Sequence, residues 1–257
     1  MDYNNIILDI SNKISYITIN RPNQLNALNF ETIKELNHAI FLSEENKNVR
    51  CIILTGSGTK SFIAGADINE FSRFNSFEGE ELSRKGQELL FDKLENCGIP
   101  SIAAINGFAL GGGLELAMSC HIRVASSNAK MGLPEVSLGV IPGYGGTQRL
   151  PNLVGKGKAM EMVFTAGMIT AEEAFQYGLI NLICEQKKLK STCEKIALKI
   201  CQNSGSAISS AIKAMNAGFT DGINGYEMEK KEFGNCFGKK EFIEGTTAFL
   251  EKRKAKF

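Results

Sequence analysis

The sequence predicts an α/β body that ends in a helical tail, and three observations predict it. Short β-branched or continuously apolar runs alternate with helical segments through about residue 187. Strand signals then stop, and three helical segments remain. No low-complexity linker separates the parts, so the chain reads as a body of residues 1–187 and a C-terminal helical region of residues 188–257.

Each element has a local reason. Ile6 to Ile10 and Ile14 to Ile19 are β-branched runs joined by Ser11-Asn12-Lys13, which suits a hairpin. Arg21-Pro22-Asn23 ends the second strand, because proline cannot continue a central ladder. A helix follows with Asn29 as N-cap and Ile33, Leu36, Ile40 and Phe41 on its inner face. Cys51 to Leu54 is a buried strand, and Thr55-Gly56-Ser57-Gly58 turns the chain. Glu78 to Asn96 is a helix with Leu82, Leu89, Leu90 and Leu94 inward, stopped by Gly98 and Pro100. Ser101 to Ile105 is a buried strand, a Gly-rich turn leads to a short helix over Gly112 to Met118, and Ile122 to Ala125 is another strand. Thr170 and Glu173 make a capping box, with Gly178 as the glycine past the helix end. The tail comprises Leu189 to Cys201, Ser206 to Ala217, and Tyr226 to about Arg253 with a break near Gly238.

Composition excludes several classes. Lys+Arg number 29 and Asp+Glu 28, a net charge of +1, without the basic excess of a non-specific nucleic-acid binder. The seven cysteines form no CxxC pair, so they read as buried reduced thiols of a cytoplasmic protein, not as a zinc site. No apolar run is long enough to span a membrane, and MDYNNIILDI lacks the basic region of a signal peptide. Gly58-Thr59-Lys60-Ser61 lacks the glycine directly before the lysine of a P-loop, and Gly143 to Gln148 lacks the third glycine of a dinucleotide fingerprint. His38 and His121 lie in no partner motif and read as structural.

Two glycine-rich stretches carry chemical potential. Asn106 to Leu116 follows a buried strand and opens a helix, where free N–H groups and a positive dipole end favour an oxyanion. Glu115 sits in the first turn, either as an acid group for chemistry or as compensation for the dipole. Leu133 to Thr147 holds Glu135 among apolar residues, where desolvation raises a carboxyl pKa, unless the side chain points to solvent. Phe62 to Ile68 is rich in small residues and exposes backbone N–H groups, or forms a bulge or tight turn. No helical or strand period brings Glu115 and Glu135 together; only a fold can.

The stretches INRPNQLNALN, FIAGADI, NGFALGGGLELAMSC, LPEVSLGVIPGYGGTQRL and AFLEKRKAKF, in this order, resemble the crotonase (enoyl-CoA hydratase/isomerase) superfamily, most nearly its bacterial short-chain hydratase subgroup. The resemblance implies a spiral of ββα units, C-terminal helices used for trimer contacts, and a homo-hexamer of two trimers. It implies reversible hydration of a short-chain enoyl-CoA, with Glu115 and Glu135 as acid/base pair and the N–H groups of Ala66 and Gly112 as oxyanion hole. Ala27, Leu28, Ala64, Asp67 and Ile68 are implied on the CoA side, Gly143 and Tyr144 at the acyl pocket, and Phe249 and Lys252 as CoA contacts, often across a subunit boundary. It implies no metal or separate cofactor, coenzyme A being part of the substrate, and no nucleic-acid or membrane partner. The rival readings are double-bond isomerisation and RNA binding on the same fold, the latter weakly cued by Lys187, Lys188 and Lys190. Leu133 stands where many relatives have Gln and His121 where Asp is usual; Leu133 is expected to make the wall beside Glu135 more apolar.

Overall fold

A computed structural model describes residues 3–257. The chain begins with β1 (Ile6–Ser11) and β2 (Ile14–Ile19), an antiparallel hairpin. Asn12 and Lys13 both take positive φ, which matches the turn to the twist of the strands. Helix α1 (Phe30–Glu45) follows, with the Asn29 side chain accepting from Thr32 N–H as expected of its cap.

Three strand pairs then repeat one plan: β3 (Cys51–Gly56) with β4 (Ser61–Ala64), β5 (Ser101–Ile105) with β6 (Phe108–Leu110), and β7 (Ile122–Ser126) with β8 (Lys130–Gly132). The first strand of each pair joins a six-stranded sheet and the second joins a four-stranded sheet. Helices α2 (Ile68–Phe71), α3 (Ser76–Gly86) and α4 (Asp92–Glu95) close the first pair, α5 (Gly112–Ser119) the second, and α6 (Gly146–Val154) with α7 (Lys156–Thr165) the third. Each unit therefore advances both sheets by one strand, which is the expected ββα spiral. Strand β9 (Met168–Thr170), α8 (Ala171–Gln176) and β10 (Leu182–Cys184) complete the sheets, in the orders β1-β2-β3-β5-β7-β10 and β4-β6-β8-β9. The large sheet is parallel from β2 onward.

Strand alternation sorts the core. Ile17, Ile19, Ile52, Leu54, Ala103, Ile105 and Ala125 face the small sheet, α1 and α5 in the main cluster. Their neighbours Ile14, Cys51, Ile53, Ile102, Ala104 and Val124 face outward and are covered by α9 (Leu189–Ile200) through Leu189, Cys193 and Ala197. The tail continues as α10 (Gly205–Ala217), α11 (Gly225–Cys236) and α12 (Lys240–Leu250). Gly238, at φ +75°, breaks the last two as anticipated. Among the described residues no helix is long and apolar enough to cross a membrane.

The structure departs from the sequence expectations in several places. Phe41 is 47% exposed rather than inward, with the Lys93 ammonium over its ring. The stripe of Ile33, Leu36 and Ile40 already fills that face. The helix expected from Glu78 starts earlier, because Asn75 and Glu78 form a capping box. It also widens into a π turn at Gln87–Phe91. Leu90 and Leu94 are buried, but Leu82 and Leu89 are only half-buried. The turn expected at Thr55 begins after Gly56, since β3 runs that far. By contrast, the Phe62 to Ile68 stretch matches one of its readings: Phe62 to Ala64 lie in β4, whose pairing with β6 has a bulge-like register irregularity between Ser61 and Ile63. The strands β6, β8, β9 and β10 have three residues each, too few to show a period, and no expectation covered the helices α6 and α7.

Candidate active site

A cavity of about 480 Å3 opens where the small sheet's strand ends meet α3 and the Leu138–Tyr144 segment. Ala64, Ala66, Ile68, Gly112, Glu115, Glu135, Gly143 and Tyr144 line it, so the fold gathers these eight expected residues. Phe71, Phe74, Leu82, Val140 and Ile141 supply the apolar wall.

Glu115 reaches the cavity from α5. Gly111 sets the approach: it takes φ +51°, and a β-carbon there would stand 2.7 Å from Glu135 Oε1. At the far end of α5, Arg123 donates to the carbonyls of Ala117, Met118 and Cys120, capping the helix. Glu115 is 1% exposed. Its Oε1 accepts from Tyr144 N–H and Gly146 N–H, both at 2.8 Å. Burial and then the Glu135 charge push its carboxyl up to about 7, against the pull of those two N–H groups and Arg149.

Glu135 opens a 3-10 turn, Glu135–Leu138, held after Pro134 and closed by Gly139 at φ +76°. Its Oε2 is buried with no hydrogen-bond partner among the described residues. Burial pushes this carboxyl above the ordinary range as well. An unpartnered buried oxygen favours the protonated form.

Two backbone donors complete the site. The Leu28 N–H donates to the Gly65 carbonyl and the Asp67 N–H to the Leu28 carbonyl, a bridge that leaves Ala66 N–H pointing elsewhere. Gly112 opens α5, where an N–H has no intrahelical acceptor. Neither N–H has a backbone acceptor among the described residues. A β-carbon on Gly112 would stand 3.6 Å from the Ala66 nitrogen, so the two donors are neighbours.

Other expected residues lie outside the cavity lining. Leu28 is core, and its backbone holds the Gly65–Asp67 segment. Ala27 offers its carbonyl to Arg21, which also pairs with Asp67 at 3.1 Å. Asp67 caps α2; burial opposes its ionisation, but hydrogen bonds from Arg21 and Asn69 hold its carboxyl below the ordinary range. Phe249 is 83% exposed and Lys252 is exposed at φ +56°, and the single chain does not bring either to the cavity. Leu133 is fully buried in the main core and makes no part of the cavity wall, so its expected effect there has no direct contact to act through. His121 Nδ1 accepts from Ser101 N–H and its Nε2 faces the Glu95 carbonyl, a structural role that keeps the ring neutral. The buried thiols of Cys97, Cys120 and Cys193 are pushed up to about 12 by burial, far from a nucleophile's range.

Sequence reasoning missed the residues that hold the Gly143–Gly146 strap. Arg149 donates to the Tyr144 carbonyl and is itself held by Asp92 and Glu95. Ser83 and Gln87 donate to the Gly143 carbonyl. Tyr144 stacks on Phe91 with centroids 4.6 Å apart. The polar spacing Ser83–Gln87, four apart on a helix, was the available signal.

Two carboxyls of different hydrogen bonding, facing paired N–H donors in an apolar cavity, suit acid/base chemistry on a compound with a polarisable carbonyl. A family profile for enoyl-CoA hydratase/isomerase matches residues 9–257, and the chain belongs to that family. It is 48% identical over 255 residues to the short-chain-enoyl-CoA hydratase of Clostridium acetobutylicum, covering 99% of this chain and 97% of the relative. It is 46% identical over 258 residues to the crotonyl-CoA hydratase of Syntrophomonas wolfei, covering 100% and 99%. The crystal structure of an enoyl-CoA hydratase from Bacillus anthracis is similar at a TM-score of 0.91 and 38% identity, with 99% of each chain covered.

Proposed function

We propose that the protein adds water reversibly across the trans-2 double bond of a short-chain enoyl-CoA, as a hydro-lyase. The carrying observation is that Glu115, Glu135 and the N–H groups of Ala66 and Gly112 share one cavity. The thioester oxygen docks on the two N–H donors. Glu115, as carboxylate, takes a proton from water while the water oxygen bonds to C3. The electron pair of the double bond moves onto the thioester as an enolate, and Glu135 gives its proton to C2. Dehydration runs the same steps backward. The hydrogen bonds divide these roles: Glu115 has two N–H donors that favour its anion, while Glu135 Oε2 has none. One donor of such an oxyanion site contributes on the order of 3 kcal/mol. The chemistry runs on side chains and backbone alone, with coenzyme A entering as part of the substrate.

The acid pair favours hydration over double-bond isomerisation, which one proton-transferring carboxyl can serve. RNA binding finds little support, because Lys188 is paired with Glu185 and Lys190 lies 4.0 Å from Glu194. The names of the relatives and the Tyr144 ring against the cavity favour four-carbon substrates. A cytoplasmic homo-hexamer is part of this reading. Loss of enoyl absorbance from crotonyl-CoA tests it: Glu115→Gln and Glu135→Gln should each lower turnover by at least about a hundredfold while the melting curve stays cooperative. Near-normal turnover in either variant overturns the assignment.

A further inference from the structure

We propose that Ser83 and Gln87 are positioning residues for Glu115, acting through the one peptide group that joins Gly143 to Tyr144. The inference rests on the reading of Glu115 as the base. Both polar ends of that peptide are taken. Its carbonyl accepts from Ser83 Oγ at 2.5 Å and from Gln87 Nε2 at 2.8 Å. Its N–H donates to Glu115 Oε1 at 2.8 Å. Gln87 Nε2 also donates to Ser83 Oγ at 3.0 Å, which ties the two side chains into one unit.

Two consequences follow from elementary electrostatics. Donors on an amide carbonyl polarise the amide, so its N–H becomes a stronger donor to the carboxylate beyond it. The same donors fix the plane of the peptide. Position 143 has no β-carbon to restrict rotation, and a turned plane would aim the carbonyl oxygen at the Glu115 anion. Ser83 and Gln87 hold the plane in the orientation that supports the anion. Gln87 opens the π turn at Gln87–Phe91, and Ser83 lies one helical turn earlier in α3. That turn also presents Phe91 to the Tyr144 ring.

Charged and titratable groups around Glu115 come from several elements. Glu135 opposes its ionisation from the 3-10 turn, and Arg149 supports it from α6. Asp92 and Glu95 of α4 neutralise much of that Arg149 charge. Tyr144 remains a neutral phenol, pushed up by burial and by the charges of Glu115 and Glu70. The Gln87 side chain bonds only Ser83 and the Gly143 carbonyl among the described residues, and none of these charged side chains, so a change there isolates the peptide route.

The test uses the full chain with Gln87→Met, which keeps shape and removes the donor, and Ser83→Ala as a second variant. Gln87 does not line the cavity, so it is the cleaner probe. Crotonyl-CoA hydration is followed across the pH range that brackets the Glu115 titration. Gln87→Met should lower kcat about three- to tenfold, with KM changed by less than about twofold. It should also move the acid limb of the kcat/KM profile to higher pH, because the anion has lost support. A lowered melting temperature with kcat and the acid limb unmoved overturns the inference, since that is what a purely structural contact would do. Glu115→Gln is assayed alongside. If it is inactive and Gln87→Met is unmoved, the inference alone fails; if it turns over normally, the base reading fails and takes the inference with it.

Discussion

At the scale of the residue, Glu115 shows how a functional side chain is held against its own preference. Its folded carboxyl titrates at about 7, above the ordinary 4.5. A raised carboxyl pKa means that the folded state holds its proton over a range where the unfolded chain has released it. Stability from this group is therefore lost as pH rises from 4.5 through about 7, and the penalty is constant above that. Glu115→Gln keeps an Oε1 acceptor for Tyr144 N–H and Gly146 N–H without the charge. The variant should melt with the wild type near pH 4.5 and above it beyond pH 7, by at most about 3 kcal/mol. Thermal unfolding at several pH values checks this, and a variant less stable than wild type at high pH would contradict it. The sequence placed Glu115 in a first helical turn and left its role open. Its partners Tyr144 and Gly146 lie 29 and 31 residues away, beyond any local period.

At the scale of the element, the helix from Ser76 to Glu95 carries the most information that local propensity hides. Its amphipathic leucines were legible, but the π turn was not. Gly86, just before that turn, is required by packing: a β-carbon there would stand 2.2 Å from Tyr144 Cε1, inside the ring's own space. Glycine to alanine in a helix normally stabilises by up to about 1 kcal/mol. Gly79→Ala, with nothing within 4 Å of the new carbon, should follow that rule. Gly86→Ala should reverse it, destabilising by about 1–3 kcal/mol as Tyr144 is forced off Phe91. Urea midpoints of the two variants give the comparison, and equal shifts would refute the packing argument. The missed start of this helix was readable, since Asn75 and Glu78 stand at capping-box spacing.

At the scale of the whole molecule, α9 buries its apolar face on the large sheet, whereas α10, α11 and α12 leave large apolar side chains exposed. Phe219, Tyr226, Phe233, Phe249 and Leu250 are exposed on or beside α10, α11 and α12, a density that marks an interaction surface. The proposed hexamer requires that such a surface be covered between subunits. Light scattering should give a particle of six chains, and Phe249→Glu with Leu250→Glu should reduce it to smaller species. A monomeric wild type would remove the hexamer from the reading. Within one chain Phe249 and Lys252 stand apart from the cavity, so any contact they make with substrate requires a neighbouring copy.

Neighbouring residues set the elements whose signal is local. The Asn12–Lys13 hairpin, the Asn29 cap, the Thr170–Glu173 capping box, the Gly238 break and the long buried strands all follow from neighbours a few residues apart. Five ordered motifs added the family and named the acid pair. Long-range packing set where Glu135 points, the grip of Ser83, Gln87 and Arg149 on the strap, and the place of Leu133 in the core. Those outcomes depend on contacts between segments far apart in the chain, where backbone amides and side chains of any type can meet. No periodicity records them; the stepping of the ββα units brings Glu115, Glu135 and the two free N–H groups to one cavity.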